Sequence, residues 1–168
     1  MSLEEKIKKH EETIYTTAFA TAALAVPGTF IPAADVTGIV GGWALMIVKI
    51  AADCDRQMNR DTAVKIVTSI LAGAAGYIGG SKIFTVGLQF VLPGLGTLGA
   101  LALNSLLNFL YTIRLGRFIA LQMEKPGFDT EDWANLIPEI TSVVFAMPSV
   151  MELRETWNDW KEQQSYNL

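Results

Sequence analysis

The chain has 168 residues, of which 51% are hydrophobic and only 18% are charged, and its formal net charge is −4 at pH 7. This length suits one domain with a sizeable core, whereas an ordinary soluble domain is about a quarter charged. An acidic chain without a basic patch argues against a nucleic-acid partner, and a single cysteine, Cys54, excludes an intrachain disulfide.

The few charged residues are unevenly distributed. Residues 13–34, 66–81 and 83–113 contain none, whereas residues 124–168 hold nine acidic and three basic side chains. Because roughly twenty apolar residues can span a bilayer as a helix, these stretches favour a membrane-inserted or membrane-associated protein. Three lysines leave no clean set of four full spans and favour a soluble bundle instead; they are Lys49, Lys65 and Lys82.

Helix-breaking residues divide the first half of the chain into three predicted helices, and no convincing strand is found. The first helix is expected from residue 2 to about residue 26, before Pro27-Gly28. Asp35 is expected to cap a second helix that ends near residue 58. A third helix, capped by Asp61 or Thr62, is expected to end near residue 80.

The second half continues with a short apolar segment over residues 83–92 and a helix over residues 97–125, which Pro126-Gly127 ends. A sixth helix is expected from Asp129 to about residue 147, with a kink at Pro138. Ser149 is expected to cap the last helix, which ends near residue 164.

These elements predict an all-α fold of glycine-rich apolar helical hairpins followed by an acidic C-terminal helical pair. The hairpins form an apolar domain over residues 1–125. The amphipathic tail, residues 126–168, packs on that domain, so that the two form one structural unit.

Small residues recur at helical spacing in the apolar part. A glycine inside a helix costs up to about 1 kcal/mol relative to alanine, so repeated glycines indicate that helices approach each other closely, in a membrane or in a tight soluble core. The residues expected to form the hairpin bends and the close packing are Pro32, Asp35, Gly73, Gly76, Gly80, Pro93, Gly94, Gly96 and Gly99.

The last three of these glycines also spell G-x-G-x-x-G, the dinucleotide-binding pattern. That motif needs a preceding strand and an acidic residue about twenty positions later. Here Pro93 precedes the first glycine, and the next acidic residue is Glu124, well beyond that spacing. We therefore interpret these glycines as a hairpin bend, and expect no cofactor.

Two asparagines and two arginines lie in the long apolar helix or near its end. Asn104 and Asn108 are four positions apart and share one helix face, where we expect them to pair across a helix interface rather than to line a polar path. Arg114 and Arg117 are expected to form ion pairs with the acidic tail, or to lie at a membrane boundary.

The last helix is amphipathic. Its apolar face is formed by Val150, Leu153, Trp157 and Trp160. We expect this face to pack on the rest of the domain, and the alternative is a docking face for a partner or a bilayer interface, where tryptophan is favoured.

Little in the sequence points to catalysis. His10 is the only histidine and is surrounded by Lys9, Glu11 and Glu12, so we expect it to be a solvated surface residue. One histidine and one cysteine cannot build a zinc site from those ligands alone. No catalytic residue and no metal site is therefore predicted, and the chain is expected not to be an enzyme.

Two stretches resemble an uncharacterised bacterial helical domain family. Residues 26–57 are similar through Pro32-Ala-Ala-Asp35 and the apolar helix after it, and residues 70–120 through the bend L-P-G-x-G-T and a helix ending in L-G-R. Members of that family are often fused to, or encoded beside, Era-like or dynamin-like GTPases. The resemblance implies a membrane-associated helical domain without a known reaction.

The function predicted from these features is that of a non-enzymatic, membrane-inserted or membrane-associated helical scaffold. It would self-associate as a homo-oligomer, contact membrane lipid, and act as the membrane-side partner of a GTPase or a larger assembly. It would reside in the inner membrane or on the cytoplasmic face of a membrane. The alternative is a cytoplasmic helical bundle that acts as an adaptor or as a latent pore former.

Overall fold

The computed structural model describes residues 3–28, 32–74 and 96–166, and within these ranges the chain is helical without a strand. The predicted all-α fold is therefore confirmed. The helices are α1 (Leu3–Lys8), α2 (Glu11–Gly28), α3 (Pro32–Asp53), α4 (residues 60–74), α5 (Gly96–Met123), α6 (Trp133–Val144, after a 3-10 turn over Thr130–Asp132) and α7 (Val150–Tyr166).

The prediction of one continuous first helix is wrong. The chain turns at Lys9 and His10, where the His10 N–H donates to the Ile7 carbonyl at 2.9 Å and α2 begins at residue 11. α2 then continues through Pro27 to Gly28. This turn matters because it directs His10 into the protein.

Two predicted helix caps are also wrong. α3 begins at Pro32, so Asp35 lies inside its first turn. Proline suits this position because the first helical N–H groups have no intrahelical partner. α4 is capped by Asn59, whose Oδ1 accepts the Thr62 N–H at 2.8 Å.

The C-terminal pair differs from the prediction mainly at the start and the end of α6, which begins at Trp133 and ends at Val144, with Pro138 inside it. Gly127 has a φ of +74° and turns the chain after α5. The predicted cap of α7 is confirmed, because Ser149 Oγ accepts the Glu152 N–H at 3.1 Å.

The predicted segment 83–92 lies outside the described residues.

Three helices, α2, α3 and α5, form the centre of the fold. α3 and α5 run parallel, because the contacting pairs Trp43–Thr112 and Cys54–Glu124 are separated by nearly the same number of positions along the chain. α2 runs antiparallel to both, with Ile14 beside Gly116 and Leu24 beside Gly38. Two ends of this bundle can therefore be distinguished.

We call the end where α3 and α5 finish the charged end. It carries Lys6, Lys9, Asp53, Asp55, Arg56, Glu124 and Lys125. We call the opposite end, formed by residues 16–28 of α2, 36–45 of α3 and 96–108 of α5, the charge-free end. These three ranges contain no charged residue.

Glycine permits the close approach of α2 and α5. A Cβ at Gly116 would lie 2.7 and 2.9 Å from two carbons of Ile14, and 3.1 Å from the Met46 sulfur. Ile14 and Met46 are both buried, so neither side chain has free space to move into. Gly41 of α3, by contrast, has no atom within 4 Å of the same position.

A buried polar network joins the same three helices. Thr112 of α5 accepts the Trp43 indole N–H of α3 at 2.8 Å and lies 2.8 Å from the Thr21 hydroxyl of α2. Its own hydroxyl donates to the Asn108 carbonyl at 2.7 Å. Because all three side chains are buried, loss of this acceptor would leave an indole N–H without a partner.

Across the described parts of the chain, no helix has both the length and the apolar composition needed to cross a membrane.

The glycine contact can be tested with two matched variants. We expect Gly116→Ala to lower the free energy of unfolding by about 1–3 kcal/mol, because the new methyl group meets the β-branched Ile14. Gly41→Ala should be neutral or raise the stability by up to about 1 kcal/mol. Urea denaturation of both variants measures this difference, and equal effects would contradict the close packing.

The polar network can be tested by removing one hydroxyl. Thr112→Val keeps the shape of the side chain but removes the acceptor of the Trp43 N–H, and should cost about 1–3 kcal/mol. Thr68→Val is the control, because Thr68 is exposed and its hydroxyl donates only to the Val64 carbonyl, so an effect within about 0.5 kcal/mol is expected. A similar loss in both variants would argue against the network.

Candidate functional site

A compact group of ionisable side chains lies at the charged end, where three segments of the chain meet. His10 comes from the turn between α1 and α2, Cys54 directly follows α3, and Glu124 directly follows α5. The parallel register of α3 and α5 brings Cys54 beside Glu124, and the turn at Lys9 and His10 brings the imidazole to both. We call these three residues the His–Cys–Glu cluster.

The three side chains are in mutual contact. His10 Nε2 lies 3.4 Å from Glu124 Oε1 and 3.6 Å from Cys54 Sγ, and the thiol donates to Glu124 Oε1 at 3.5 Å. His10 is completely buried, whereas Cys54 and Glu124 are partly accessible. Asp53 stands on the other side of the imidazole, with Oδ2 3.7 Å from His10 Nδ1.

The expectation that His10 is a solvated surface residue is therefore wrong. The polar sequence around it suggested an exposed helix start, but Lys9 and Glu11 can point outward while the turn buries the residue between them. His10 Nδ1 is buried without a hydrogen-bond partner. The sequence did contain one signal for this site. The chain has a single histidine and a single cysteine, and in the structure their side chains are in contact.

Two lysines neutralise the carboxylate of the cluster. Lys9 Nζ forms a close ion pair with Glu124 Oε1, and Lys6 Nζ lies 3.7 Å from Oε2. The hydrogen bond from Lys9 is the main reason why the pKa of Glu124 is lowered to about 2. The same bond raises the pKa of Lys9. Glu124 is therefore ionised at neutral pH.

The pKa of the thiol in the cluster is shifted in the opposite direction. Burial is the main cause that raises the pKa of Cys54 to about 11, and the neighbouring negative charge of Glu124 adds to it. A nucleophilic cysteine needs a depressed pKa, so Cys54 does not resemble the nucleophile of a Cys–His hydrolase. The cluster instead offers one nitrogen, one sulfur and one carboxylate oxygen, all within 4.8 Å of one another, as ligand atoms for a metal ion.

Arg56 fixes the position of Glu124. Its guanidinium donates to the carbonyls of Met123 and Lys125, both at 2.7 Å, and to that of Phe128. These carbonyls lie at the end of α5, where helical acceptors have no intrahelical partner. The end of α5 is thereby tied to the residues that follow α3.

The two asparagines of α5 lie near its middle and are partly buried. Asn108 Nδ2 donates to the Asn104 carbonyl at 3.0 Å, within the same helix. Pairing of these residues across a helix interface stays a prediction.

Arg114 does form the predicted ion pair with the acidic tail. Its guanidinium lies 2.7 Å from both carboxylate oxygens of Glu152 and also donates to the carbonyls of Val144 and Ala146. This arrangement fixes the corner between α6 and α7. Arg117 instead lies 3.9 Å from Glu11 of α2, and no ion pair joins it to the described part of the tail.

The apolar face of α7 is mostly in contact with the domain itself. Leu153 is buried and packs with Trp157 against leucines of α5, while Trp160 packs against the main core. Val150 is 57% exposed, next to Met147 and Met151.

Only some of the residues predicted to form the hairpin bends and the close packing lie in the described part of the chain. A Cβ at Gly73 would lie 3.2 Å from the Thr141 hydroxyl oxygen of α6. Gly96 and Gly99 lie in the first turn of α5, and Pro32 and Asp35 in the first turn of α3. The remaining four, which lie outside the described residues, are Gly76, Gly80, Pro93 and Gly94.

Comparisons of the chain with protein-family models, curated proteins and solved structures give no match. The resemblance of residues 26–120 to a GTPase-associated family therefore stays a prediction.

The raised pKa of Cys54 predicts low reactivity toward iodoacetamide. With a pKa of about 11 instead of the ordinary 9.0, the thiolate fraction at pH 8 is about 100-fold smaller. Alkylation in the folded protein should therefore be at least about 100-fold slower than in denaturant, and should accelerate as the pH rises toward 11. Glu124→Gln should accelerate it as well, and native Cys54 reacting as fast as denatured Cys54 would contradict this account.

Proposed function

We propose that the protein is a membrane-associated helical scaffold that meets the bilayer with its charge-free end and keeps its charged end in water. The observation that carries the proposal is the separation of charge along the bundle of α2, α3 and α5. The proposal concerns attachment and assembly, and it assigns no reaction to the chain.

The composition of the exposed surface of α2 supports this orientation. Among its described side chains beyond Glu12, the exposed ones are Thr16, Ala20, Ala23 and Leu24. A soluble protein surface usually has about 25–35% charged residues, so an exposed helix face with none is unusual. Leu24 is 39% exposed, although it packs against Gly38 of α3.

The other two helices continue this surface. The exposed described positions between residues 36 and 45 of α3 are Thr37 and Leu45, and Leu45 is 56% exposed. α5 has no charged residue before Arg114. Asp35 lies just outside the defined ranges, in the first turn of α3, where a carboxylate is favourable near the helix N-terminus.

Such a surface suits the lipid interface for a simple energetic reason. Transfer of apolar area from water to lipid contributes about 25 cal/mol per Å², and no charged side chain within the three defined ranges has to be desolvated in exchange. The attraction would not depend on anionic lipid, because the charge-free end has no basic residues. The glycine pattern predicts self-association, and the family resemblance predicts a GTPase partner. Both stay predictions.

The proposal is tested by flotation of the full chain with neutral phosphatidylcholine vesicles. We expect the protein to float with the vesicles, and the bound fraction to change little between low and high salt, because the attraction is apolar rather than electrostatic. The double variant Ala20→Glu/Ala23→Glu should lose most of this binding. Both positions are exposed in α2, so the fold should tolerate the change.

Ala134→Glu is the matched control. It makes the same substitution at an exposed position in the first turn of α6, where a carboxylate suits the helix, and it should bind vesicles like the unaltered protein. Failure of the unaltered protein to float would overturn the membrane proposal. A defined oligomer in solution, disrupted by the double variant, would then favour the soluble adaptor instead.

A further inference from the structure

We propose that the His–Cys–Glu cluster is a binding site for a divalent metal ion of the zinc class, with His10 Nε2, Cys54 Sγ and a Glu124 carboxylate oxygen as ligands. This site is independent of the proposed membrane attachment, which depends on the opposite end of the bundle.

The separations between the three atoms fit one metal ion. Zinc binds nitrogen and oxygen at about 2.0–2.1 Å and sulfur at about 2.3 Å in tetrahedral geometry. These bonds place nitrogen and oxygen about 3.4 Å apart, and each of them about 3.6 Å from sulfur. The separations found are 3.4 Å for nitrogen to oxygen, 3.6 Å for nitrogen to sulfur and 3.5 Å for sulfur to oxygen.

Hydrogen bonding alone explains the nitrogen-to-oxygen distance less well. An N–H···O bond usually measures about 2.7–3.2 Å, and the 3.4 Å between His10 and Glu124 exceeds that range. The three separations are nearly equal, so that one ion could reach all three atoms.

The surroundings of His10 provide the second, independent observation. Its ring is fully buried, and Nδ1 has no hydrogen-bond partner although Asp53 Oδ2 is 3.7 Å away. Histidines that bind a metal through one nitrogen usually direct the other N–H to a carboxylate. Asp53 is therefore placed to orient the imidazole once Nε2 is bound to a metal.

The ligand set selects the class of metal. One thiolate, one imidazole and one carboxylate suit zinc or cobalt, whereas magnesium and calcium prefer oxygen ligands alone. Cys54 would bind as the thiolate and release its proton to solvent. Three protein ligands leave one position for water, and the partial exposure of Cys54 and Glu124 gives the ion access.

Lys9 acts as a competitor for this site. Its ammonium group is paired with the same Glu124 oxygen that faces His10 and Cys54. The Lys9 side chain is 39% exposed, so it can turn into solvent when a divalent ion takes over the neutralisation of Glu124. Removal of the lysine charge should therefore strengthen metal binding. If Lys9 only stabilised the fold, its removal would not have this effect.

The test is titration of the full chain, freed of metal with a chelator, with Co²⁺ and with Zn²⁺. Co²⁺ should produce a thiolate-to-cobalt charge-transfer absorption with a stoichiometry of one, which Zn²⁺ removes and Mg²⁺ does not. Cys54→Ser should abolish this band. Since loss of a residue that only orients a ligand costs about 10–100-fold in affinity, Cys54→Ser and Glu124→Gln should each cost more than about 100-fold.

Two further variants distinguish a metal site from a polar contact. Asp53→Asn should weaken Zn²⁺ binding by about 10–100-fold, and Lys9→Met should strengthen it about two- to tenfold. Circular dichroism of each metal-free variant checks that the fold is kept. Absence of the charge-transfer band in the unaltered protein, or a Co²⁺ affinity that Cys54→Ser leaves unchanged, would overturn the proposal.

Discussion

The architecture depends on the close approach of α2, α3 and α5, which small side chains make possible. Gly116 lets Ile14 and Met46 pack against the backbone of α5, and about one turn away the hydroxyl of Thr112 accepts the Trp43 indole N–H. This contact fixes the parallel register of α3 and α5. Because the register is fixed in the middle of the bundle, it also determines which residues meet at each end.

The two ends consequently have opposite character. At one end the register brings Cys54, Glu124 and His10 together, and Arg56 ties the chain segments around them. The other end is made of the charge-free parts of the same three helices. A metal ion at the charged end would bind residues from three segments at once and would hold that end together, and it would leave the opposite end free for the proposed contact with lipid.

The sequence was sufficient to predict the class of fold, most helices and an ion pair between Arg114 and the acidic tail, because charge, hydrophobic periodicity and helix breakers act locally. It failed at His10, since burial of that residue depends on a turn that its polar neighbours do not reveal. It also failed at the cap of α4, where Asn59, Asp61 and Thr62 are all plausible caps by residue type and only the path of the chain selects Asn59. The cluster could not be predicted because it depends on the register of helices far apart in the chain.

The orientation at a membrane is the central claim, and a pair of fluorescent labels tests it most directly. In a Cys54→Ser background, one label is attached through Ala23→Cys at the charge-free end and another, in a separate protein, through Ala134→Cys on α6. With vesicles present, nitroxide-labelled lipid should quench the label at position 23 while aqueous iodide quenches the label at position 134. Equal quenching of both labels by iodide, with no effect of the lipid quencher, would contradict the account.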